Sequence, residues 1–189
     1  ENMKNIKSYL ITDPNYFSDN KEIFKEKLIA VLKNHKIDFA CFRDKSSKNI
    51  EELAKIFLQI CKEFKIKNIL INSNISLAIK LGFDGVHLNS QQFDKIENAK
   101  KSNLITIISC HNLEELEKAM NKNIDFVTYS PIFDTPNKGQ SKGVDKLNEV
   151  IEKFPNLKIF ALGGIIQNEQ IKEIEKTKAY GFASIRYFI

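Results

Sequence analysis

The stretch DFACFRDKSSKNIEELAKIFLQICKEFKIKNILI (residues 38–71) decides the fold class. It opens with one short apolar run, Asp38–Phe42, and closes with another, Asn68–Ile71. Short runs rich in Ile, Val and Phe, without polar alternation, are the mark of strands buried on both faces. Between them, Asn49–Glu63 places Ile50, Leu53, Ile56, Phe57 and Ile60 at helical spacing. Strand, helix, strand in this order is the repeating unit of a parallel sheet.

The same unit recurs along the chain. Further runs of strand type are Lys7–Ile11, Gly85–Leu88, Leu104–Ser109, Asp125–Thr128, Lys158–Ala161 and Tyr180–Ser184. Further helical stretches include Lys21–Leu32, Gln92–Lys101, Leu113–Asn121, Asp145–Lys153 and Gln167–Glu175. Asn112 before Leu113-Glu114-Glu115 reads as an N-cap followed by an acidic first turn. Eight strands with seven helices between them predict an α/β fold of the closed (β/α)8 TIM-barrel type, one domain over residues 1–189. The last helix is expected to be short or missing, which leaves strands eight and one poorly covered. A partner copy in a homodimer would cover them.

Composition excludes several classes. Apolar residues at 42% and charged residues at 28% fit a globular chain of 189 residues and not a disordered one. No apolar run approaches the ~18 residues of a membrane span, and no secretory signal opens the chain, so the expected setting is cytoplasmic, with no membrane partner. Cys41, Cys61 and Cys110 form no CxxC pair, as suits reduced thiols. The net charge is +5, but 27 of the 29 cationic residues are Lys, scattered among Glu. That pattern argues against a nucleic-acid partner, which calls for clustered Arg. The two arginines, Arg43 and Arg186, stand out against it.

In a (β/α)8 barrel, function gathers at the C-terminal ends of the strands. Those ends carry Arg43-Asp44-Lys45, Asn72-Ser73-Asn74, His87-Leu88-Asn89, Ser109-Cys110-His111, the loop Ser130–Gly139, Gly163-Gly164 and Ala183-Ser184. A Gly pair after strand seven lets backbone N–H groups approach a phosphate. The segment Lys138–Gly143 has the length and place of a mobile lid. His87, inside a strand, reads as a packed histidine, and His35 as a surface one. Cys110 points away from the face that carries His111.

Taken in order, Ile11-Thr12-Asp13, Phe42-Arg43-Asp44-Lys45, Ile71-Asn72, Asp84-Gly85-Val86-His87-Leu88, Ser109-Cys110-His111, Ser130-Pro131-Ile132-Phe133-Asp134-Thr135 through Lys138, and Ala161-Leu162-Gly163-Gly164-Ile165 resemble the thiamin phosphate synthase family, which includes a thiazole tautomerase branch. The resemblance runs from about residue 8 to residue 185. It implies that Arg43 and Lys45 bind the pyrophosphate of a pyrimidine substrate, with Asn72 nearby. It also implies a magnesium-binding Asp at each of two positions, and these hold Ser73 and Gln92. The Gln usual two places before the Arg is Cys41.

Thr135 and Lys138 would lie over the ligand. Gly163, Gly164, Ala183 and Ser184 match a thiazole phosphate site, Ser109 belongs to the substrate-binding set, and His111 matches the acid/base of the tautomerase branch. Mg2+ needs carboxylates that Ser and Gln do not replace. The expectation is therefore an isomerase of thiamin biosynthesis, without metal or other cofactor. It would bind a small phosphorylated thiazole, with His111 moving a proton. The alternatives are a thiamin phosphate synthase, a transferase using Mg2+ and a pyrimidine pyrophosphate through a weakened metal site, and a non-catalytic binder of thiazole or thiamin phosphates.

Overall fold

Each of the eight apolar runs becomes a parallel strand in the computed structural model, which describes residues 6–189. The first five residues of the expected 1–189 domain lie outside this description. The strands are β1 (Lys7–Ile11), β2 (Phe39–Phe42), β3 (Asn68–Asn72), β4 (Gly85–Leu88), β5 (Ile105–Cys110), β6 (Phe126–Tyr129), β7 (Ile159–Leu162) and β8 (Gly181–Ser184). Each pairs with the next, and β8 pairs back onto β1 through Lys7–Gly181 and Leu10–Ser184, closing the barrel. Between and around them run α1 (Pro14–Phe17), α2 (Lys21–Asn34), α3 (Ile50–Glu63), α4 (Ile75–Leu81), α5 (Ile96–Lys101), α6 (Leu113–Asn121), α7 (Gly143–Lys153) and α8 (Asn168–Glu175).

Two helical details differ from the sequence reading. Asp13 turns the chain early by accepting the Asn15 N–H at 2.8 Å, and Pro14 suits the first helical position, so a short α1 forms before α2. The stretch Gln92–Lys101 begins as a 3-10 turn, Phe93–Lys95, and becomes α-helical only at Ile96. After β8 the described chain makes one 3-10 turn, Arg186–Phe188. Its Phe188 and Tyr187 rings lie 5.8 and 5.5 Å from Phe182 on the outer face of β8. A groove of about 430 Å³ remains beside them, between α8 and the start of β1.

Alternate strand residues fill two cores. Leu10, Ala40, Ile69, Val86, Ile108 and Val127 face outward beneath the helices. Tyr9, Phe39, Leu70, Ile107, Phe160 and Ala183 face inward. At the N-terminal end of the barrel, Phe39 stands 5.1 Å from both Phe126 and Phe160, and Tyr180 closes on Phe160 at 5.3 Å. Lys158 caps this aromatic plug, with its ammonium 5.4 Å from the Phe126 ring. The plug leaves the C-terminal mouth as the open end of the barrel.

A recurring carboxylate pins the closed end. Asp38, Asp84 and Asp125 each stand one residue before an even-numbered strand. Each accepts a backbone N–H from the strand before it: Ser8 at 2.9 Å, Ile69 at 2.9 Å and Thr106 at 2.8 Å. These N–H groups lie where a parallel ladder begins and would otherwise lack a partner. Among the described residues, no helix is long and apolar enough to cross a membrane. Removing one cap leaves a part-buried donor unpaired, so Asp125→Ala is expected to lower the unfolding free energy by about 1–3 kcal/mol in urea titration. A change under about 0.3 kcal/mol would show that the cap is dispensable.

Candidate active site

The inward positions continue past the strand ends and bring the polar groups of the sequence to one mouth. On β2 the inward series Phe39, Cys41 reaches Arg43, and on β3 Leu70 leads to Asn72. On β5 the series Ile105, Ile107 leads to Ser109 and then His111. Cys110 faces the outer core, as its parity predicts, and burial pushes its thiol pKa up.

Below the mouth lies a buried hydrogen-bonded column. The Tyr9 hydroxyl meets His87 Nδ1 at 2.6 Å, and His87 Nε2 meets Ser109 Oγ at 2.9 Å. Burial, and then the Arg43 charge, depress the His87 pKa to about 3, so the ring is neutral and carries one N–H. Burial holds the Tyr9 phenol protonated. We assign the tautomer that satisfies the buried Tyr9 hydroxyl, whose hydrogen bond is to His87: Tyr9 donates to Nδ1, and the ring proton sits on Nε2 and is given to Ser109 Oγ. The Ser109 hydrogen is then free for an acceptor at the mouth. Thr128, register partner of Ser109, adds a fully buried hydroxyl with no protein partner. Sequence reading singled out Ser109 and took His87 as a packed residue, but missed Tyr9 and Thr128. The signal was strand parity, which places all four residues on the inner face.

One side of the mouth is cationic. Arg43 Nη1 donates to Asp13 Oδ2 at 3.2 Å, and the Arg43 backbone N–H donates to Thr12 Oγ1. The guanidinium, partial burial and Lys138 together lower the Lys45 pKa, so Lys138 of the β6–α7 loop lies within electrostatic reach of the strand-two cations. Beside them is a cavity of about 400 Å³ lined by Lys45, Asn72, Ser73 and Asn89 among others. Burial also holds the Cys41 thiol at about 12, so it is an inert wall residue.

The opposite side is built from main chain. Gly163 and Gly164 adopt φ of 111° and 67°, and a Cβ on either would strike the β6–α7 loop, at Pro131 Cα (2.7 Å) or Asp134 O (2.4 Å). The loop is tied down by Phe133 N–H to Gly163 O at 3.0 Å and Gly143 N–H to Ile132 O at 2.8 Å. Thr135 donates to Phe133 O, and Lys138 is exposed. Ala183 lies in the inner wall. The Ser184 hydroxyl is committed within the protein, donating to Ile165 O at 2.8 Å and accepting the Tyr187 N–H. His111 stands at the rim, where Glu115 Oε1 meets both its backbone N–H (2.8 Å) and its Nδ1 (3.1 Å).

The sequence and the fold match those of known proteins. A family profile described as thiamine monophosphate synthase matches residues 8–188. The chain belongs to that family. A protein of Aquifex aeolicus named "Putative thiamine-phosphate synthase 2" is 37% identical over 186 residues, covering 96% of each chain. The thiamine-phosphate synthase of Pelagibacter ubique is 33% identical, covering 87% of this chain and 81% of its own. The solved thiamine phosphate pyrophosphorylase from Pyrococcus furiosus superposes with a TM-score of 0.81 at 26% identity, covering 95% of this chain and 85% of its own.

These findings correct the expected activity. The two sequence relatives carry the name of a synthase, a transferase, the solved structure that of a pyrophosphorylase, and nothing among them points to a thiazole tautomerase. The isomerase reading is therefore withdrawn, and with it the proton-shuttling role of His111. The loss of carboxylates at positions 73 and 92 had suggested that branch, but a missing metal ligand carries no information about which relatives a chain has.

The magnesium implied by the family does not fit the donor set. Ser73 and Gln92 are neutral. Asp84 caps β3 at the opposite end of the barrel. Among the described residues, no three His, Cys, Asp or Glu side chains gather where they would hold a metal.

The buried neutral His87 makes stability depend on pH. Its folded pKa of about 3 lies below the ordinary 6.5, so the unfolded chain binds a proton that the folded chain refuses. Its contribution to stability is complete above pH 6.5 and is lost as pH falls toward 3, by up to about 1.4 kcal/mol per pH unit. Urea titrations at pH 7 and pH 5 should show a smaller acid loss in His87→Gln than in the parent. Equal losses would contradict a buried neutral ring.

Proposed function

We propose that the chain is a thiamin phosphate synthase, joining a thiazole phosphate to a pyrimidine pyrophosphate and releasing pyrophosphate. The observation that carries this reading is the profile match over residues 8–188, reinforced by 37% identity to a relative of equal span. The mouth supports it with two unlike anion seats. Arg43, Lys45, Lys138 and Asn72 suit the pyrophosphate. The main chain at Gly163 and Gly164, continued by that of Ala183 and Ser184, suits the single phosphate of the thiazole.

The chemistry is a substitution. The bond between the pyrimidine methylene carbon and its bridging oxygen breaks, and its electron pair leaves with the pyrophosphate. The thiazole nitrogen lone pair forms the new C–N bond and becomes the positive thiazolium nitrogen. Atoms and charge balance without proton transfer, which is why His111 needs no acid/base role here. Charge gathers on the leaving oxygen in the transition state, where the Arg43 guanidinium and the Lys45 and Lys138 ammonium groups stabilise it. Ser109, held as a donor by Tyr9 and His87, offers one directed hydrogen bond to an acceptor on the pyrimidine ring, and Thr128 lies beside it. The Lys138 loop with Thr135 would cover the two substrates and exclude water from the leaving group.

Supplying both substrates and reading thiamin phosphate as thiochrome fluorescence tests this directly. Product should form, and Arg43→Ala should lose about 100-fold in kcat/KM, the scale of removing a charge that meets a pyrophosphate. Substrate binding without product, with and without added Mg2+, would favour a non-catalytic binder and overturn the synthase reading.

A further inference from the structure

We propose that this mouth holds a pyrophosphate group with protein donors alone, with no divalent cation between ligand and chain. Calling the ligand a pyrophosphate rests on the synthase reading above, whereas binding without metal does not require turnover.

The first support is an inversion of hydrogen-bond polarity at Ser73. The Asn72 and Asn89 side-chain amides both donate toward Ser73 Oγ, at 3.2 and 3.4 Å. An oxygen that accepts twice has its own hydrogen left for another acceptor. Gln92 fixes the backbone around it, taking the Asn89 N–H at 3.0 Å and donating to Ser73 O at 3.2 Å. A carboxylate here would be an acceptor for a cation. The hydroxyl is instead a donor for an anion, and it lines the same cavity as Lys45.

The second support is the local charge balance. Asp13 is already used twice, by Arg43 and by the Asn15 N–H. Asp44 lines the cavity with Ser73, but its Oδ1 accepts the Ser46 and Ser47 N–H groups at 3.0 and 2.9 Å. Among the described residues, neither Lys45 nor Lys138 forms an ion pair. Arg43 keeps most of its five donors free beyond the one bond to Asp13. Arg43, Lys45 and Lys138 stand against two carboxylates, Asp13 and Asp44, both already engaged by protein donors, and a trianion relieves the repulsion among the surplus cations. A divalent cation brought to the same place would add to that surplus, and by lowering the ligand's charge it would weaken the attraction.

Calorimetric titration with inorganic pyrophosphate, in EDTA and in excess Mg2+, is the test. The expected result is saturable binding in EDTA that Mg2+ leaves unchanged within about threefold or weakens, with Lys138→Ala at least fivefold weaker in EDTA. Lys138 is exposed on a loop, so this variant should fold like the parent. Ser73→Asp combined with Gln92→Asp should lose at least tenfold in EDTA and recover with Mg2+. Absent binding in EDTA, or tightening by Mg2+ of more than about threefold in the parent, would overturn the proposal. Thiamin phosphate formation together with pyrophosphate binding that requires Mg2+ would overturn it while leaving the synthase reading intact. Binding in EDTA without turnover would do the reverse.

Discussion

Closure of the sheet is the constraint on which everything else depends. Because β8 pairs with β1, all eight strands run parallel around one axis and their C-terminal ends form a single ring. Packed aromatic rings fill the interior at the closed end, so any polar side chain pointing inward must find a protein partner or reach the mouth. Tyr9, His87 and Ser109 satisfy both demands. The two lower groups are buried and satisfied by each other, and the topmost delivers the surplus hydrogen to the open end. A hydrogen bond deep in the barrel thereby sets the polarity of a group at its rim.

The mouth is electrostatically divided. Side-chain cations gather at the ends of β2 and in the β6–α7 loop, while the side near β7 and β8 offers backbone and small residues. That division follows from sterics as much as from charge. At Gly163 and Gly164 the loop after β6 packs so closely that no Cβ fits, and the same closeness leaves the main chain bare for a ligand. Lys138 is carried on that loop, so the packing that demands the glycines also anchors a segment that brings a cation within electrostatic reach of Lys45.

Much of this was legible in the sequence. The fold was, because unalternating apolar runs with helical stretches between them admit few topologies, and Gly85–Leu88 and Leu113–Asn121 have the boundaries read from the residues alone. Arg43 was legible as a rare guanidinium in a Lys-rich chain. The fate of the carboxylates was not. Asp38, Asp84 and Asp125 stand at or before the starts of their runs in the sequence, but only the closed barrel shows that each caps a backbone N–H of the preceding strand. The Tyr9–His87 bond joins residues 78 positions apart, beyond the reach of local pattern. The Ser184 hydroxyl, expected to serve a phosphate, is claimed by the turn after β8, whose geometry no spacing rule supplies. Reading two absent carboxylates as a change of reaction was the larger error, because the same absence is compatible with keeping the reaction and changing how the anion is held.

The central claim is that one mouth holds two different anions in two different ways. A crystal structure with a thiazole phosphate and an unreactive pyrimidine pyrophosphate analogue bound together tests it most directly. The account predicts the pyrophosphate against Arg43, Lys45, Ser73 and Lys138 and the single phosphate against the Gly163–Gly164 main chain, with the pyrimidine ring on Ser109. Both anions on the same side of the mouth, or either of them bound outside the barrel end, would contradict it.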